Sequence, residues 1–328
     1  MTPPAGAGSF LAAAGWSGAQ ILPLAGDASF RRYFRVVDGD RCAVLMDAPP
    51  PHEDPRPFIH IAEYLDGIGL RAPRILHRDL DQGLLLIEDF GSVRMRETVD
   101  ADLALEPSIY AGVVDVLVEL HRHAPPPGLK PHGLAQWIDE VGLFTDWYCP
   151  AVGIEADKES FVAAWREALT PIEAQGQSVT ELRDYHAENI MLLDGQTGVR
   201  QFGLLDFQDA LIGHPAYDLV SMLEDARRDV SPAVEAAELA RYRRETGQGA
   251  AFEQAYWALG AQRNTRILGV FVRLWQRDGK PHYTRFQPRM WGLLERNLVQ
   301  PGLAPVKAWF DAHVPPEKRA AFWVDFQP

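Results

Sequence analysis

Residues 181 to 209 constrain this chain more than any other stretch. They read Glu-Leu-Arg-Asp-Tyr-His-Ala-Glu-Asn-Ile-Met-Leu-Leu, then a glycine-containing turn, then Phe-Gly-Leu-Leu-Asp-Phe-Gln-Asp. Arg183-Asp184 is followed five residues later by Asn189, and Asp206 closes a second apolar run. Short apolar runs parted by a turn predict a β-hairpin. Three oxygen-bearing side chains, Asp184, Asn189 and Asp206, are thereby hung on one hairpin. Such oxygens suit a hard cation, and Mg²⁺ takes few of its ligands from protein.

Phosphoryl transfer from ATP needs that set: one carboxylate to orient and deprotonate a hydroxyl, and an amide plus a second carboxylate for the metal bridging the phosphates. Arg183 to Asn189 resembles the catalytic loop of the protein kinase superfamily, and Leu205-Asp206-Phe207 stands where those enzymes carry Asp-Phe-Gly. Gly213-His214-Pro215-Ala216-Tyr217-Asp218-Leu219 is more similar to the aminoglycoside phosphotransferase and choline kinase-like branch, which acts on small molecules. Within that branch the chain resembles the bacterial anomeric (C1) kinases of N-acetylmuramate and N-acetylglucosamine. The segments that carry this are Gly26 to Phe34, Val44-Leu45-Met46-Asp47-Ala48-Pro49-Pro50, and Gln262-Arg263-Asn264 leading to Arg277-Asp278-Gly279-Lys280.

The resemblance covers nearly the whole chain. It implies an α+β, bilobal protein kinase-like fold, with a small β-rich N-lobe over residues 1–91 and a larger helical C-lobe over residues 92–328 that carries the catalytic β-hairpin. ATP and Mg²⁺ would be the cofactors and a small-molecule amino sugar the partner, phosphorylated at C1 for cell-wall sugar recycling toward UDP-sugar precursors. Asp184 would be the catalytic base, with Asn189 and Asp206 on the metal. Gly26, Asp27, Ser29, Phe30, Arg31 and Arg32 stand where kinases place the loop over the phosphates. Backbone groups near Glu88 and Phe90 would hydrogen-bond adenine at the hinge. His186 would donate to the γ-phosphate or order the loop, Arg183 would face the substrate, Asp209 would face it or be a surface acid, and Asp218 would bond the catalytic-loop backbone.

Two positions depart from the kinase pattern. Met46 stands where kinases carry a phosphate-binding lysine, which leaves Arg31, Arg32 and Arg35 as the nearest cations in sequence. Leu182 replaces the histidine of His-Arg-Asp, a substitution a buried position tolerates. The anomeric kinases share the methionine by resemblance.

At 328 residues the chain has room for two lobes. The net charge of -13 argues against a nucleic-acid partner, because phosphate backbones are bound by clustered Lys and Arg. Cys42 and Cys149 have no Cys or His partner at metal-ligand spacing and read as reduced thiols. No membrane segment and no secretory signal is visible, so a cytoplasmic protein is expected, and a monomer.

In chain order, residues 2 to 9 read as a loose arm. The runs Ile21-Leu-Pro-Leu, Arg32 to Val37 and Cys42 to Met46 read as strands, with Asp38-Gly39-Asp40 as a hairpin turn. Pro57 opens a helix with Phe58, Ile61, Leu65 and Ile68 on one face, and Gly69 ends it. Glu63 on this helix is either the kinase-type partner of the strand lysine or an exposed surface acid. Leu84 to Ile87 reads as a buried strand. Helices follow over 133–148 and 157–174, whose aromatic residues read as core in preference to a sugar-stacking platform. Ile267 to Trp275 and Trp291 to Leu298 continue the helical period.

Other readings share the motifs. An aminoglycoside, homoserine or choline kinase would want an acidic acceptor pocket, and Asp139, Glu140, Asp146, Glu155 and Asp157 are candidates for it. A non-catalytic nucleotide-binding pseudokinase would explain Met46 but not the joint presence of Asp184, Asn189 and Asp206.

Overall fold

The computed structural model describes residues 1–24, 30–324 and 326. Its strands are β1 (Gln20–Pro23), β2 (Arg32–Asp38), β3 (Arg41–Asp47), β4 (Ile75–Asp79), β5 (Leu84–Glu88), β6 (Val179–Glu181), β7 (Ile190–Leu192), β8 (Phe202–Leu204) and β9 (Leu211–Gly213). The first helices are α1 (Ala7–Ala13), α2 (Arg56–Gly67), α3 (Met95–Ala101), α4 (Glu106–Leu120), α5 (Leu134–Leu143), α6 (Cys149–Ala151) and α7 (Lys158–Glu173). They are followed by α8 (Ala216–Leu223), α9 (Pro232–Thr246), α10 (Ala250–Gln276), α11 (Gln287–Leu298), α12 (Ala304–His313) and α13 (Ala320–Val324). The chain packs as two compact units: Met1–Leu120 with Ala187–Ala210, and His121–His186 with Leu211–Pro328.

In the first unit five antiparallel strands lie in the order β1-β2-β3-β5-β4. Period-two alternation aims Phe34 and Val36 of β2 at one face, where they meet Ala43, Leu45, Leu84 and Leu86. That face is closed by Phe10 and Leu11 of α1 and by Trp16. The segment read as a loose arm is therefore partly a helix, because two large apolar side chains in a short run are enough to dock it. The β2–β3 turn is as expected: Asp38 pairs with Arg41 around Gly39, whose φ of 59° suits glycine. Helix α2 follows the expected face, burying Phe58, Ile61 and Leu65, and Gly69 at φ 87° lies just beyond its end. Glu63 is on its exposed side and meets Arg78 at 3.7 Å, the surface reading.

The second unit is helical. Its core holds Trp137, Phe144, Tyr148, Phe161, Trp165, Trp291 and Phe310, all essentially without exposure. Ring pairs run edge-to-face or stacked, as aromatic quadrupoles prefer. The Tyr148 hydroxyl accepts from the indoles of Trp291 and Trp323 at 2.8 Å each and donates to the Lys318 carbonyl at 2.7 Å. These aromatics are core, as read from the sequence, with Leu143 and Trp147 at its partly exposed margin. Helix α10 comes so close to the end of α5 that a Cβ on Gly269 would lie 2.3 Å from the Leu143 carbonyl. The chain after α5 continues as one turn of π-helix, Phe144–Tyr148.

Both cysteines are free, Cys42 exposed on β3 and Cys149 buried at the start of α6, where burial pushes its thiol up to about 12. Among the described residues no helix is long and apolar enough to cross a membrane.

Candidate active site

The motif segment folds as two short ladders. Strand β7 pairs with β8 in the first unit, Ile190 opposite Leu204, and β6 pairs with β9 in the second. Asp184 lies in the loop after β6, Asn189 ends a 3₁₀ turn just before β7, and Asp206 follows β8. The single hairpin expected from residues 181 to 209 is thus the β7–β8 pair alone.

In the first unit the backbone positions the metal-type oxygens. The Leu205 N–H donates to the Asn189 carbonyl at 3.0 Å, and the Leu204 N–H donates to the Arg71 carbonyl at 2.7 Å. Asp206 is held at φ 58°, a left-handed conformation costly for a residue with a Cβ. Non-glycine residues kept there cluster at functional sites. Phe207 anchors the turn by stacking on Phe58 of α2 at 5.0 Å. The Asp206 carboxylate accepts from the Gln208 amide at 2.8 Å and meets the Arg31 guanidinium at 3.8 Å. Glu53 holds the neighbouring loop end, 3.2 Å from the Phe30 N–H and 3.9 Å from Arg31.

The candidate cations separate here. Arg32 is bonded to the buried Asp47 and Arg35 to Asp89, the latter at 2.6 Å, and Arg31 stands beside Asp206 at 3.8 Å and Glu53 at 3.9 Å. Met46 is wholly buried in β3 between Tyr33 and Leu85. Gly26, Asp27 and Ser29 lie outside the described residues.

At the end of β5, Arg71 bonds Glu88 at 2.6 Å and lies over the Phe90 ring. Burial works against the Glu88 charge, but Arg71 and Arg74 outweigh it and lower its pKa. The Glu88 side chain and its N–H, which donates to the Arg74 carbonyl, are committed inside the protein. The Phe90 ring packs where a Cβ on Gly203 would stand, 2.6 Å away, which explains the glycine in Phe-Gly-Leu-Leu-Asp.

In the second unit a buried charge network holds Asp184. Asp218 of α8 accepts the N–H groups of Leu182 at 2.6 Å and Arg183 at 2.9 Å, the role read for it from sequence. Burial and the nearby Glu181 and Asp184 charges push its carboxyl well up, and the two N–H donors pull the other way. Arg183, at φ 69°, turns its side chain to Glu140. Glu140 also takes the Gln262 amide at 3.1 Å and His132 at 3.4 Å, and His132 bonds Glu181 at 2.7 Å through its other nitrogen. Desolvation opposes the His132 charge, but Glu181 and Glu140 raise its pKa to about 9, so it is an imidazolium at neutral pH. Desolvation also opposes the Glu140 charge, yet Arg266, His132 and Arg183 hold its carboxyl far below the usual carboxylate range.

His186 is buried, and desolvation first, then Arg227 and Arg263, lower its pKa well below the ordinary value. It is neutral and can offer a hydrogen bond but no charge. Asp209 accepts from Gln208 at 3.4 Å. The acids proposed for a cationic acceptor are dispersed: Asp146 pairs with Lys158, Asp157 caps α7, Asp139 and Glu155 are exposed, and Glu140 is engaged by Arg183, His132 and Gln262. Sequence reasoning missed the His132–Glu140–Glu181 network. Its sign in the sequence was the polar trio Gln262-Arg263-Asn264 within α10, all three of which are buried.

A small antiparallel sheet joined to a larger helical part is the bilobal α+β fold of the protein kinase-like class. A choline/ethanolamine kinase family protein from Mesorhizobium loti has this fold, with a TM-score of 0.64 at 18% identity over 92% of this chain and 98% of that one. The ADP-bound aminoglycoside phosphotransferase APH(2'')-Ib has it too, with a TM-score of 0.56 at 12% identity over 84% and 92%. Residues 20–255 match the model of the phosphotransferase enzyme family, and the chain belongs to that family. It is similar to the N-acetylmuramate/N-acetylglucosamine kinase of Caulobacter vibrioides, 36% identical over 95% of this chain and 96% of the relative. The chain is accordingly a phosphotransferase, and the non-catalytic reading falls away.

Proposed function

We propose that the chain transfers the γ-phosphoryl group of ATP to the anomeric C1 hydroxyl of N-acetylmuramate, N-acetylglucosamine or both, returning recovered cell-wall sugars toward UDP-sugar precursors. The observation that carries this reading is the near full-length likeness to the Caulobacter relative. The dispersal of the acids over residues 139 to 157 supports a neutral or anionic acceptor over an aminoglycoside or choline.

Residues 1–91 form the nucleotide lobe in this reading and residues 92–328 the acceptor lobe, in a monomeric cytoplasmic enzyme. Phe30, Arg31 and Arg32 border the phosphates together with Gly26, Asp27 and Ser29, and backbone at Glu88 and Phe90 takes the adenine. Asp184 accepts the proton of the C1 hydroxyl as its oxygen attacks phosphorus, which suffices because a hemiacetal hydroxyl is more acidic than an ordinary alcohol. Arg31 supplies positive charge toward the transferred group in place of the lysine absent at Met46. His186, neutral, offers one hydrogen bond.

The donor set fits magnesium: an amide oxygen from Asn189 and a carboxylate from Asp206 are hard ligands, and the cation Arg31 already stands beside Asp206. Mg²⁺ when bound neutralises charge on the phosphates; Asn189 and Asp206 hold it.

The test is magnesium-dependent ADP release across a panel of sugars, aminoglycosides and choline. The reducing end should disappear in step with ADP, and the product should be labile to mild acid. A product that keeps its reducing end places the phosphate on another hydroxyl. Turnover of aminoglycosides or choline alone would sink the sugar reading.

A further inference from the structure

A cation that offsets phosphate charge is effective when it is held in place before the nucleotide arrives, because a long, freely turning side chain must otherwise be ordered at the moment of binding. The kinase-type pair of strand lysine and helix acid is absent from this chain at both ends. Met46 is buried in β3, and Glu63 of α2 is on the exposed side of its helix, 3.7 Å from Arg78. A different acid stands beside Arg31.

Glu53 lies in the connection between β3 and α2, where the N–H groups of His52 and Glu53 both donate to the Pro49 carbonyl, at 3.0 and 3.1 Å. That turn fixes the Glu53 backbone. Its Oε1 accepts the Phe30 N–H at 3.2 Å, and its Oε2 lies 3.9 Å from Nε of Arg31. One position earlier the same two segments meet again, the Phe30 ring stacking on His52 with centroids 5.2 Å apart. Residues 30 and 31 are thus docked on residues 52 and 53. The Arg31 and Glu53 side chains are 12% and 20% exposed, so the pair is sheltered from the water that weakens surface ion pairs. Arg31 turns its Nε edge to Glu53 and its Nη2 end to Asp206, 3.8 Å away, and all three residues belong to the first compact unit.

We propose that Glu53 is the positioning residue of the nucleotide site, holding the Arg31 guanidinium by its Nε edge so that its Nη end is aimed at the terminal phosphates of ATP. This rests on the reading above in which Arg31 is the phosphate cation. The division of edges is what makes the arrangement work: a guanidinium presents its donors in a rigid planar fork, so an acid that fixes one edge also fixes the direction of the other. A carboxylate close to phosphates repels them directly. Its removal therefore loosens nucleotide binding if Glu53 acts through Arg31, and tightens it if Glu53 is only a nearby negative charge.

The experiment measures, by calorimetry with magnesium, the dissociation constants of the β,γ-imido analogue of ATP and of AMP for the wild type, Glu53→Gln, Arg31→Ala and the double variant, with a thermal melt of each nucleotide-free protein. Glu53→Gln keeps an acceptor for the Phe30 N–H and removes only the charge. It should weaken the analogue by about 3- to 10-fold, no more than Arg31→Ala does, with AMP binding and the melting point near the wild type's. The double variant should bind the analogue within about twofold of Arg31→Ala, because a residue that works through Arg31 has nothing left to position. Tighter binding by Glu53→Gln, equal losses for AMP and the analogue, a melting point lowered in step with affinity, or single-variant factors that multiply in the double variant each overturn the proposal. If Arg31→Ala itself binds the analogue like the wild type, the phosphate-cation reading falls and this one with it.

Discussion

Asp206 and Glu140 are both carboxylates beside arginine, and they are held in opposite ways. Asp206 sits on a backbone turn fixed by main-chain hydrogen bonds and the Phe58–Phe207 stack, with Arg31 3.8 Å away. Glu140 is locked by Arg183, Gln262 and His132 in a buried network. A carboxylate placed by backbone, with its cation 3.8 Å away, can exchange that cation for another. One enclosed by several donors is an anchor, and its removal leaves buried charges uncompensated. The first arrangement suits a metal ligand, the second suits holding the Arg183-Asp184 turn.

The sharpest test of the contrast is activity against stability. Asp206→Ala should lose at least about 10³ in turnover with a melting point near the wild type's, since main-chain hydrogen bonds and the Phe58–Phe207 stack hold the turn. Asp184→Asn should lose about 10² to 10⁴ and keep nucleotide binding. A large drop in melting temperature for Asp206→Ala would mean that the side chain, not the backbone, holds the turn. Glu140→Gln should do the reverse, costing about 3 to 5 kcal/mol of stability in a urea titration by removing the carboxylate that Arg183 and Arg266 share. An unchanged urea midpoint would show that water reaches the network.

The third test uses pH. His132 titrates near 6.5 when unfolded and about 9 when folded, so its contribution is fully present below pH 6.5 and is lost as pH rises through 9. The groups facing it are Glu181 from β6, Glu140 from α5 and Tyr217 from α8. Wild-type stability should fall across that window by on the order of 3 kcal/mol relative to His132→Gln. Parallel curves for the two proteins would place the proton elsewhere. The smallest effect belongs to the phosphate cation: Arg31→Ala should raise the KM for ATP about tenfold, with Arg32→Ala and Arg35→Ala changing it less, because those two are spent on Asp47 and Asp89. Equal effects of all three would remove the distinction.

What the sequence revealed and what it hid follow from the range of the interactions. The β2–β3 hairpin, α2 and β5 were legible because a turn signal or a period repeats within a few residues. Helix α1 was not, since its docking rests on Phe10 and Leu11 meeting a sheet built from residues up to position 86. Asp184, Asn189 and Asp206 stood out through their spacing. His132, Glu140 and Glu181 did not, because His132 stands outside any helix or strand and its bonds reach Glu140 and Glu181, 8 and 49 positions away, with no period to announce them.

The unequal burial of the two thiols has a practical consequence. Cys149 is enclosed and its thiolate strongly disfavoured, whereas Cys42 is exposed on β3. Thiol-directed reagents attack the accessible thiolate, so unmodified protein takes a single dye or spin label at Cys42. Residue 42 lies on β3, the strand next to β5, where it pairs with Val37 of β2, and its neighbour Ala43 pairs with Glu88. A fluorophore there sits one position from the proposed adenine-binding backbone. Nucleotide titrations can be followed optically on the native sequence, without cysteine engineering.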